Sequence, residues 1–370
     1  MIKKFDEVFV DKTRLGKKIP KEEYKKKGKY IIIDQGKDKI AGFTDNEDGI
    51  FTDVPTIIFG DHTRIIKYID KPFFLGADGV KVLKSKINNA NYKYLYYALK
   101  AAYIPNTGYN RHFKWLKKVS INYPSFEKQK RIVKLLDNLS EVKNKKNEEL
   151  KLCDTLIKAR FVEMFGDPGL VHRENKVCNL ENVAEVRSSH RIFTREFTKS
   201  GVPFYRGTEI SLLANGKEPI HSYYISKARY DEITKNDSKP KIGDLLMPSI
   251  CDKGQIWLVN TSKPFYYKDG RVLCISPNRE KFNTIFFHQY MKMKSQIEYL
   301  KIGSGSTFAE FKIFQLKKLK INIPPLKLQN EFASFVQQVD KSKVVNASIM
   351  KYIISIRFYL YFKENKEGAR

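Results

Sequence analysis

The chain has 370 residues, a formal net charge of +28 and a sequence pI near 9.7, so it is strongly basic and long enough for two or three domains. It contains no run of about 18 or more apolar residues, and acidic residues interrupt its first positions, so we expect neither a membrane span nor a signal peptide. The four cysteines lie far apart without CxxC spacing, which predicts no zinc site and no disulfide framework and favours a cytoplasmic location.

The excess of positive charge favours a polyanionic partner such as nucleic acid. Lysine supplies 54 of the 69 basic residues, so the codon bias of an AT-rich genome is an alternative source of part of this excess. A basic protein of the membrane surface fits less well, because the charge is not gathered on one amphipathic helix.

Residues 1–126 are predicted to form a first α+β domain. Short β-type runs at 29–33 and 56–59 end in turn residues, and a helical stretch covers 92–101. The segment carries 25 basic and 14 acidic residues, a net charge of +11, which is where a nucleic-acid reader needs its charge.

A long helix is predicted over residues 127–165. Apolar residues recur every three or four positions from Ile132 to Met164, which is the spacing of one helix face, and Gly166 and Pro168 follow as stop signals. At 1.5 Å per residue the helix is roughly 55–60 Å long, so its apolar stripe needs a partner of similar length.

Residues 166–326 are predicted to form a second α+β domain. They contain β-type runs at 202–205 and 244–247 and a helical stretch at 284–299. With 26 basic and 16 acidic residues, this segment has a net charge of +10, close to that of the first domain.

A second long helix is predicted within the C-terminal segment 327–370. It follows Pro324-Pro325, and its apolar pattern runs to about Phe362.

An ungapped internal repeat relates the two halves of the chain. Residues 116–129 align with 316–329, and seven of the fourteen positions are identical, ending with Gln129 on Gln329. The repeat predicts a duplicated unit with pseudo-two-fold symmetry, in which the two long helices pack as an antiparallel coiled coil. The alternative is that each helix lies on its own domain.

The motifs of common catalytic sites are missing from the sequence. It contains no HExxH helix, no GxSxG turn and no Walker loop, and residues 303–307 lack the GK[ST] ending of a phosphate loop. Asn322-Ile323-Pro324-Pro325 is not the motif of an adenine methyltransferase. These absences favour binding over catalysis.

Several stretches resemble the specificity subunits of type I restriction–modification systems. Residues 30–36, 53–64, 74–80 and 108–114 resemble parts of a target recognition domain. Residues 161–167 resemble the end of the central helix, and residues 323–326 with Gln329 resemble the start of the second helix. The second recognition domain matches only in layout, and the C-terminal end carries no counterpart of residues 163–167.

The resemblance implies a non-catalytic subunit with two globular α+β target recognition domains, 1–126 and 166–326. Each would read one half of a bipartite site in double-stranded DNA. The helices at 127–165 and 327–370 would act as the spacer and dock methyltransferase subunits, two of them in this family, and motor–nuclease subunits would complete a restriction complex. Because the S-adenosylmethionine and ATP sites would lie in these partners, no cofactor and no metal are expected here.

Candidate DNA-binding residues follow from the chemistry of base recognition, in which Arg pairs with guanine and Asn or Gln with adenine. In the first domain they are His62, Arg64, Tyr109, Asn110, Arg111 and His112. In the second domain they are Arg206, Lys253, Gln255, Arg271, Ser304, Ser306 and Thr307. The structural alternatives are that His62 caps its turn, Arg111 bonds a neighbouring carbonyl, and Arg206 braces the turn at Gly207.

Two other classes of function remain open at this point. One is a stand-alone basic DNA- or RNA-binding regulator that uses its helices to dimerise, although the internal duplication already places two readers in one chain. The other is an enzyme, for instance a nuclease, with a site that the motifs do not reveal.

Overall fold

The computed structural model describes residues 1–76, 79–172, 176–219, 223–235, 239–302 and 309–366, with side chains to Ile349 except at 346 and 347. The chain divides into two units. Unit 1 comprises residues 1–147 and 347–370, and unit 2 comprises residues 148–346.

Unit 1 is built on three small sheets and short helices. Its elements are β1 (Ile2–Lys4), α1 (Phe5–Val8), β2 (Phe9–Asp11), 3-10 turns at Thr13–Leu15 and Lys21–Glu23, β3 (Tyr30–Ile33), β4 (Gly42–Thr44), β5 (Thr56–Gly60), β6 (Ile66–Ile69), β7 (Phe73–Leu75), β8 (Val80–Ser85), α2 (Tyr92–Ala101), α3 (Phe113–Leu116) and β9 (Ser120–Asn122). The strand orders are β1-β9, β2-β8-β5-β6 and β4-β3-β7. All pairs are antiparallel except β3 with β7, which is parallel.

Strand β5 lies at the centre of unit 1, and each of its residues is buried. Successive side chains of a strand point to opposite faces of the sheet. Ile57 and Phe59 therefore join one apolar cluster, which includes Leu95 of α2, while Ile58 joins another, which includes Phe73. A strand with apolar residues on both faces is held in one register, since a slip by one residue exchanges the faces.

Unit 2 repeats these strand orders with additional helices and one additional strand. Its elements are β10 (Lys176–Asn179), 3-10 turns at Leu180–Asn182 and Thr194–Glu196, β11 (Ala184–Arg187), β12 (Phe197–Thr198), β13 (Val202–Tyr205), α5 (Gly207–Ala214), β14 (Tyr223–Ile225), α6 (Lys227–Ile233), β15 (Leu245–Pro248), β16 (Trp257–Leu258), β17 (Tyr266–Tyr267), β18 (Val272–Pro277), α7 (Thr284–Ile302), α8 (Ile313–Lys317) and β19 (Lys320–Ile323). The strand orders are β10-β19, β11-β18-β15-β16 and β12-β14-β13-β17, and β13 with β17 is the parallel pair. Strand β15 has the same alternation as β5, with Leu245 and Met247 in one cluster and Leu246 in another.

Two long helices, α4 (Phe126–Phe165) and α9 (Leu326–Lys366), lie where the apolar patterns predict helices. Within unit 2 the last part of α4 packs against the first part of α9. The rings of Phe161 and Phe332 lie 5.5 Å apart, and further along the Nζ of Lys343 lies 2.8 Å from the carboxylate of Asp154. These two helix segments therefore run in opposite directions.

The glutamine at the end of the sequence repeat forms the same hydrogen bond at the start of both long helices. Gln129 donates its side-chain amide to the carbonyl of Pro124 (2.9 Å), and Gln329 donates to that of Pro324 (2.8 Å). Both side chains are buried. Each glutamine thus joins the first turn of its helix to the connection that follows the preceding strand.

Both units combine helices and sheets, as the sequence predicts for two α+β domains. Among the described residues, no helix is both long enough and apolar enough to cross a membrane.

Candidate nucleic-acid interface

In unit 1 a tight turn connects β5 to β6 and presents three of its side chains. The N–H of Asp61 donates to the carbonyl of Gly79 (2.6 Å), and the N–H of Arg64 donates to that of Gly60 (2.7 Å). Arg64 adopts a left-handed backbone with φ of 60°, which closes the turn. His62, Thr63 and Arg64 consequently lie in the turn at the end of these two strands.

A second loop of unit 1 joins this turn. The ring of Tyr109 stacks on that of His62 with centroids 5.0 Å apart, and Tyr109 is 89% exposed. The neighbouring Asn110 and Arg111 are also exposed. The structure thus brings His62, Tyr109, Asn110 and Arg111 together, while the guanidinium of Arg64 turns to the carbonyl of Ile104 (3.1 Å).

The structure corrects the sequence-based prediction that His112 contacts DNA. Its side chain is fully buried, its N–H donates to the carbonyl of Asp61 (2.8 Å), and its Nδ1 lies 3.0 Å from the same oxygen. Its Nε2 lies 3.3 Å from the hydroxyl of Thr107. Because both ring nitrogens face groups of the chain, His112 positions the loop and does not reach a base.

Gln35 belongs to the same cluster, although the sequence indicated only a turn there. Its Oε1 accepts a hydrogen bond from the N–H of His62 (3.1 Å), and its backbone carbonyl accepts one from the hydroxyl of Thr63 (2.6 Å). A Cβ at Gly79, where φ is +89°, would lie 2.7 Å from the Gln35 amide nitrogen, so only glycine leaves room for this side chain. The signal in the sequence was an amide side chain directly after a buried strand.

In unit 2 the corresponding turn follows β15. The N–H of Ser249 donates to the carbonyl of Arg271 (2.9 Å), and the N–H of Phe311 donates to the carbonyl of Ser249 (2.8 Å). The guanidinium of Arg271 is 60% exposed and forms an ion pair with Glu310. Ser304, Ser306 and Thr307 lie outside the described residues.

Lys253 and Gln255 lie on the β15–β16 connection, next to α7. The amide of Gln255 donates to Asp252 (2.7 Å), and the amide of Gln296 donates to the carbonyl of Lys253 (2.7 Å). A Cβ at Gly254 would lie 2.6 Å from the carbonyl of Lys292. The glycine therefore permits the connection to lie directly against the helix.

Arg206 is largely occupied by its neighbours in the chain. Its guanidinium donates to both carboxylate oxygens of Glu209 (2.9 and 3.1 Å) and lies 4.5 Å above the ring of Tyr223. These hydrogen bonds raise the pKa of Arg206 above its ordinary value. The adjacent Gly207 lies near Pro248, so this brace supports the turn that carries Ser249.

No group of three or more His, Cys, Asp or Glu side chains in the described part of the chain is arranged to hold a metal ion. The arrangement instead offers hydrogen-bond donors and amides on several loops at one end of each sheet. Each unit therefore presents a set of polar loops of the kind that nucleic-acid-binding proteins use.

Comparisons with known proteins identify the family. Residues 1–152 and 172–351 match the type I restriction modification DNA specificity domain, and the chain belongs to this family. As a specificity subunit it has no catalytic role, since catalysis lies in partner subunits.

Curated relatives agree with this assignment. A putative type I restriction enzyme specificity subunit of Haemophilus influenzae is 28% identical over 297 residues, which cover 76% of this chain and 72% of the relative. A putative type I restriction enzyme MjaX specificity subunit of Methanocaldococcus jannaschii is 24% identical over 307 residues, covering 75% and 68%.

Solved structures share the fold. The S subunit of a type I restriction–modification system from M. genitalium superposes with a TM-score of 0.54 at 17% identity, covering 96% of this chain and 93% of that one. A chain from a structural study of complex assembly and conformational transition in a type I R-M system gives 0.53 at 16% identity, covering 98% and 96%.

Proposed function

We propose that each unit reads one half of a bipartite site in double-stranded DNA, with residues 1–126 and 166–326 as the two target recognition domains. One observation carries this proposal. In each unit, separate loops are hydrogen-bonded to a single turn residue, Asp61 or Ser249, at one end of the central sheet. Side chains from distant parts of the sequence are thereby presented together, which direct reading of base edges requires.

Within these loops we assign base contacts to donors and amides. In unit 1 they are Gln35, His62, Asn110 and Arg111, with Arg64 and Tyr109 beside them. In unit 2 they are Lys253, Gln255, Arg271, Ser304, Ser306 and Thr307. Arg206 acts through the turn that it braces, because Glu209 occupies its guanidinium.

We further propose that the helical segments 127–165 and 327–370 form an antiparallel coiled coil that sets the unread gap between the half-sites. The contacts of Phe161 with Phe332 and of Asp154 with Lys343 support this pairing. The similar strand orders of the two units, which differ by one added strand in unit 2, and the repeated glutamines support an origin by duplication.

The partners in this proposal are two methyltransferase subunits docked on the helices and, in a restriction complex, motor–nuclease subunits. S-adenosylmethionine and ATP would bind to those partners, so this chain needs no cofactor, and the complex would work in the cytoplasm. The family match favours this function over a stand-alone regulator.

Methylome sequencing of cells that carry the complete system tests the proposal. The wild-type chain is compared with a chimaera in which residues 1–126 come from a relative, and with the reciprocal exchange of residues 166–326. We expect each exchange to change one half-site while the other half-site and the gap are retained, because each domain reads independently. A change in both half-sites, or a methylome that does not depend on the gene, would contradict the proposal.

A further inference from the structure

A wide groove in unit 1 begins at the proposed base-reading turn and ends at the long helix α4. Its volume is about 970 Å³, and its walls include Thr63 and Arg64 of the turn, Lys100 of α2, and Asp137 and Asn144 of α4. Six basic and two acidic residues line the groove: Lys37, Lys39, Arg64, Lys67, Lys93, Lys100, Asp70 and Asp137. The groove therefore presents a net positive charge.

Some of these charges are already paired, and others are not. Lys93 forms an ion pair with Asp137 (2.7 Å), and Lys67 forms one with Asp34 (3.4 Å). Lys100, in contrast, donates to the neutral hydroxyl of Tyr96 (2.9 Å), and Arg64 donates to a backbone carbonyl. Lys100 and Arg64 thus keep a full positive charge at the groove.

Unit 2 has a smaller groove of about 360 Å³. Its walls include Lys253 and Gln255 of the β15–β16 connection, Lys292 of α7, and Asp154 and Lys158 of α4. This groove extends from the β15–β16 connection, which we propose as base-reading, past α7 to α4.

Lys100 and Lys292 occupy equivalent positions. The side chain of Asn91 caps α2 by accepting from the N–H of Tyr94 (3.1 Å), and that of Asn283 caps α7 by accepting from the N–H of Phe286 (3.3 Å). Counted from these caps, Lys100 and Lys292 stand at the same position of their helices. In each unit, the lysine at this helix position lies on the wall of a groove.

The surroundings of Lys292 indicate that an anion belongs there. No hydrogen bond or ion pair to its Nζ is found among the described residues, although Asp154 lies on the wall of the same groove. Burial lowers the pKa of this ammonium more than the attraction of Asp154 and Asp340 raises it, so the charge is incompletely compensated. An anion in the groove would complete that compensation.

We propose that both grooves bind the sugar–phosphate backbone of the duplex on the side of each half-site that faces the unread gap. The inference rests on the proposed function, since it takes the turns as base readers and the long helices as the spacer. Lysine is well suited to bind a phosphate, because its ammonium is a compact charge on a flexible side chain and can approach the phosphate from many directions. DNA that leaves the turn along the groove passes beside α4, so these contacts fall over the gap and carry no base specificity.

The test uses the full chain in complex with its methyltransferase subunits, the variants Lys100→Met and Lys292→Met, and duplexes with and without the target site. We expect roughly tenfold weaker binding to both duplexes, because a charge-assisted contact to phosphate is lost. The slope of log K against log salt should fall by about 0.9 for each lost contact. Lys292→Arg keeps the charge and should retain binding.

The exposed Lys26 and Lys199 line neither groove and serve as matched controls when changed to Met. In a second arm, methylphosphonates replace the phosphates on the gap side of each half-site. They should weaken wild-type binding and leave binding by the Met variants unchanged, which tests the inference without relying on the folding of any variant.

Specific binding by the wild type together with full affinity for the methylphosphonate duplex would overturn the inference and leave the proposed function intact. Equal losses in the groove variants and the lysine controls would also overturn it. Loss of preference for the target site in the wild-type complex would instead contradict the proposed function itself.

Discussion

In unit 1 the turn after β5 is fixed by polar side chains, whereas in unit 2 the corresponding turn after β15 is fixed by aromatic ones. The carboxylate of Asp61 accepts from the N–H of Phe113 (2.7 Å), and the buried ring of His112 lies against the carbonyl of Asp61. At the place of His112, unit 2 has Phe311, which is buried and packs 5.8 Å from the ring of Tyr299.

The backbone hydrogen bonds at the two turns are the same. Asp61 N–H donates to residue 79 (2.6 Å) and Ser249 N–H to residue 271 (2.9 Å), while the carbonyls of Asp61 and Ser249 each accept a bond of 2.8 Å from the loop that follows the helix. Main-chain groups need a partner whatever their side chains are. Main-chain hydrogen bonds therefore fix the conformation of both turns, and the side chains around the turns are free to differ between the two units.

The largest effect should come from the contact of Phe311 with Tyr299 beside the turn of unit 2. We expect Phe311→Ala to lower the free energy of unfolding by about 3–5 kcal/mol, because it leaves a cavity in the main apolar cluster. Phe314, which is 60% exposed, is the control, and its change to Ala should cost less than about 1 kcal/mol. Chemical denaturation measures both. Equal losses of unfolding free energy in the two variants would show that Phe311 does not stabilise the turn.

The next largest effect concerns acid sensitivity, in which the two units should differ. Burial lowers the pKa of His288 from 6.5 to about 4, and its Nε2 lies 2.8 Å from the carbonyl of Ile256. The equivalent residue of α2, counted from the Asn caps, is Tyr96. Since folded His288 stays neutral while the unfolded chain takes up a proton, stability is retained above pH 6.5 and lost as the pH falls towards 4.

The loss attributable to His288 should reach about 3 kcal/mol at the acid end of this window, since one pKa unit corresponds to about 1.4 kcal/mol. His288→Gln keeps a donor for Ile256 but does not titrate, so its stability should fall less between pH 6.5 and 4. Thermal denaturation over this pH range measures the difference. Parallel pH profiles of the variant and the wild type would exclude His288 as the acid-sensitive group.

The long helices and the α+β character of both units were accessible from the sequence, because periodicity and turn residues are local signals. The 40-residue helix α4 begins one residue before its predicted start. The parallel pairing of β3 with β7 was not accessible, since it joins Ile31 to Phe73 across a long stretch of chain. Pairing of distant strands depends on packing that no local pattern records.

The same limit explains the errors in the candidate site. His112 follows a glycine-led polar loop and looked exposed, but its burial depends on Asp61, 51 residues earlier. Gln35 looked like an ordinary turn residue, and only contact with His62 and Gly79 places it in the cluster. Loops that carry candidate residues were therefore predictable, whereas the direction of each side chain required the tertiary structure.

The smallest effect should come from Tyr109, whose ring stacks on His62 of the turn in unit 1. Tyr109→Ala removes the stack on His62 and should change the free energy of unfolding by less than about 0.5 kcal/mol, because the ring is 89% exposed. Affinity for the target should fall by about 0.5–1.5 kcal/mol, the value of an aromatic pair, since His62 loses its orientation. Only discrimination at the half-site read by unit 1 should relax, which competition between duplexes with single substitutions in each half-site measures. Tyr103, 85% exposed, stacks on no other ring among the described residues and is the matched control; if Tyr103→Ala weakened binding equally, the effect would belong to exposed aromatic surface and not to the turn.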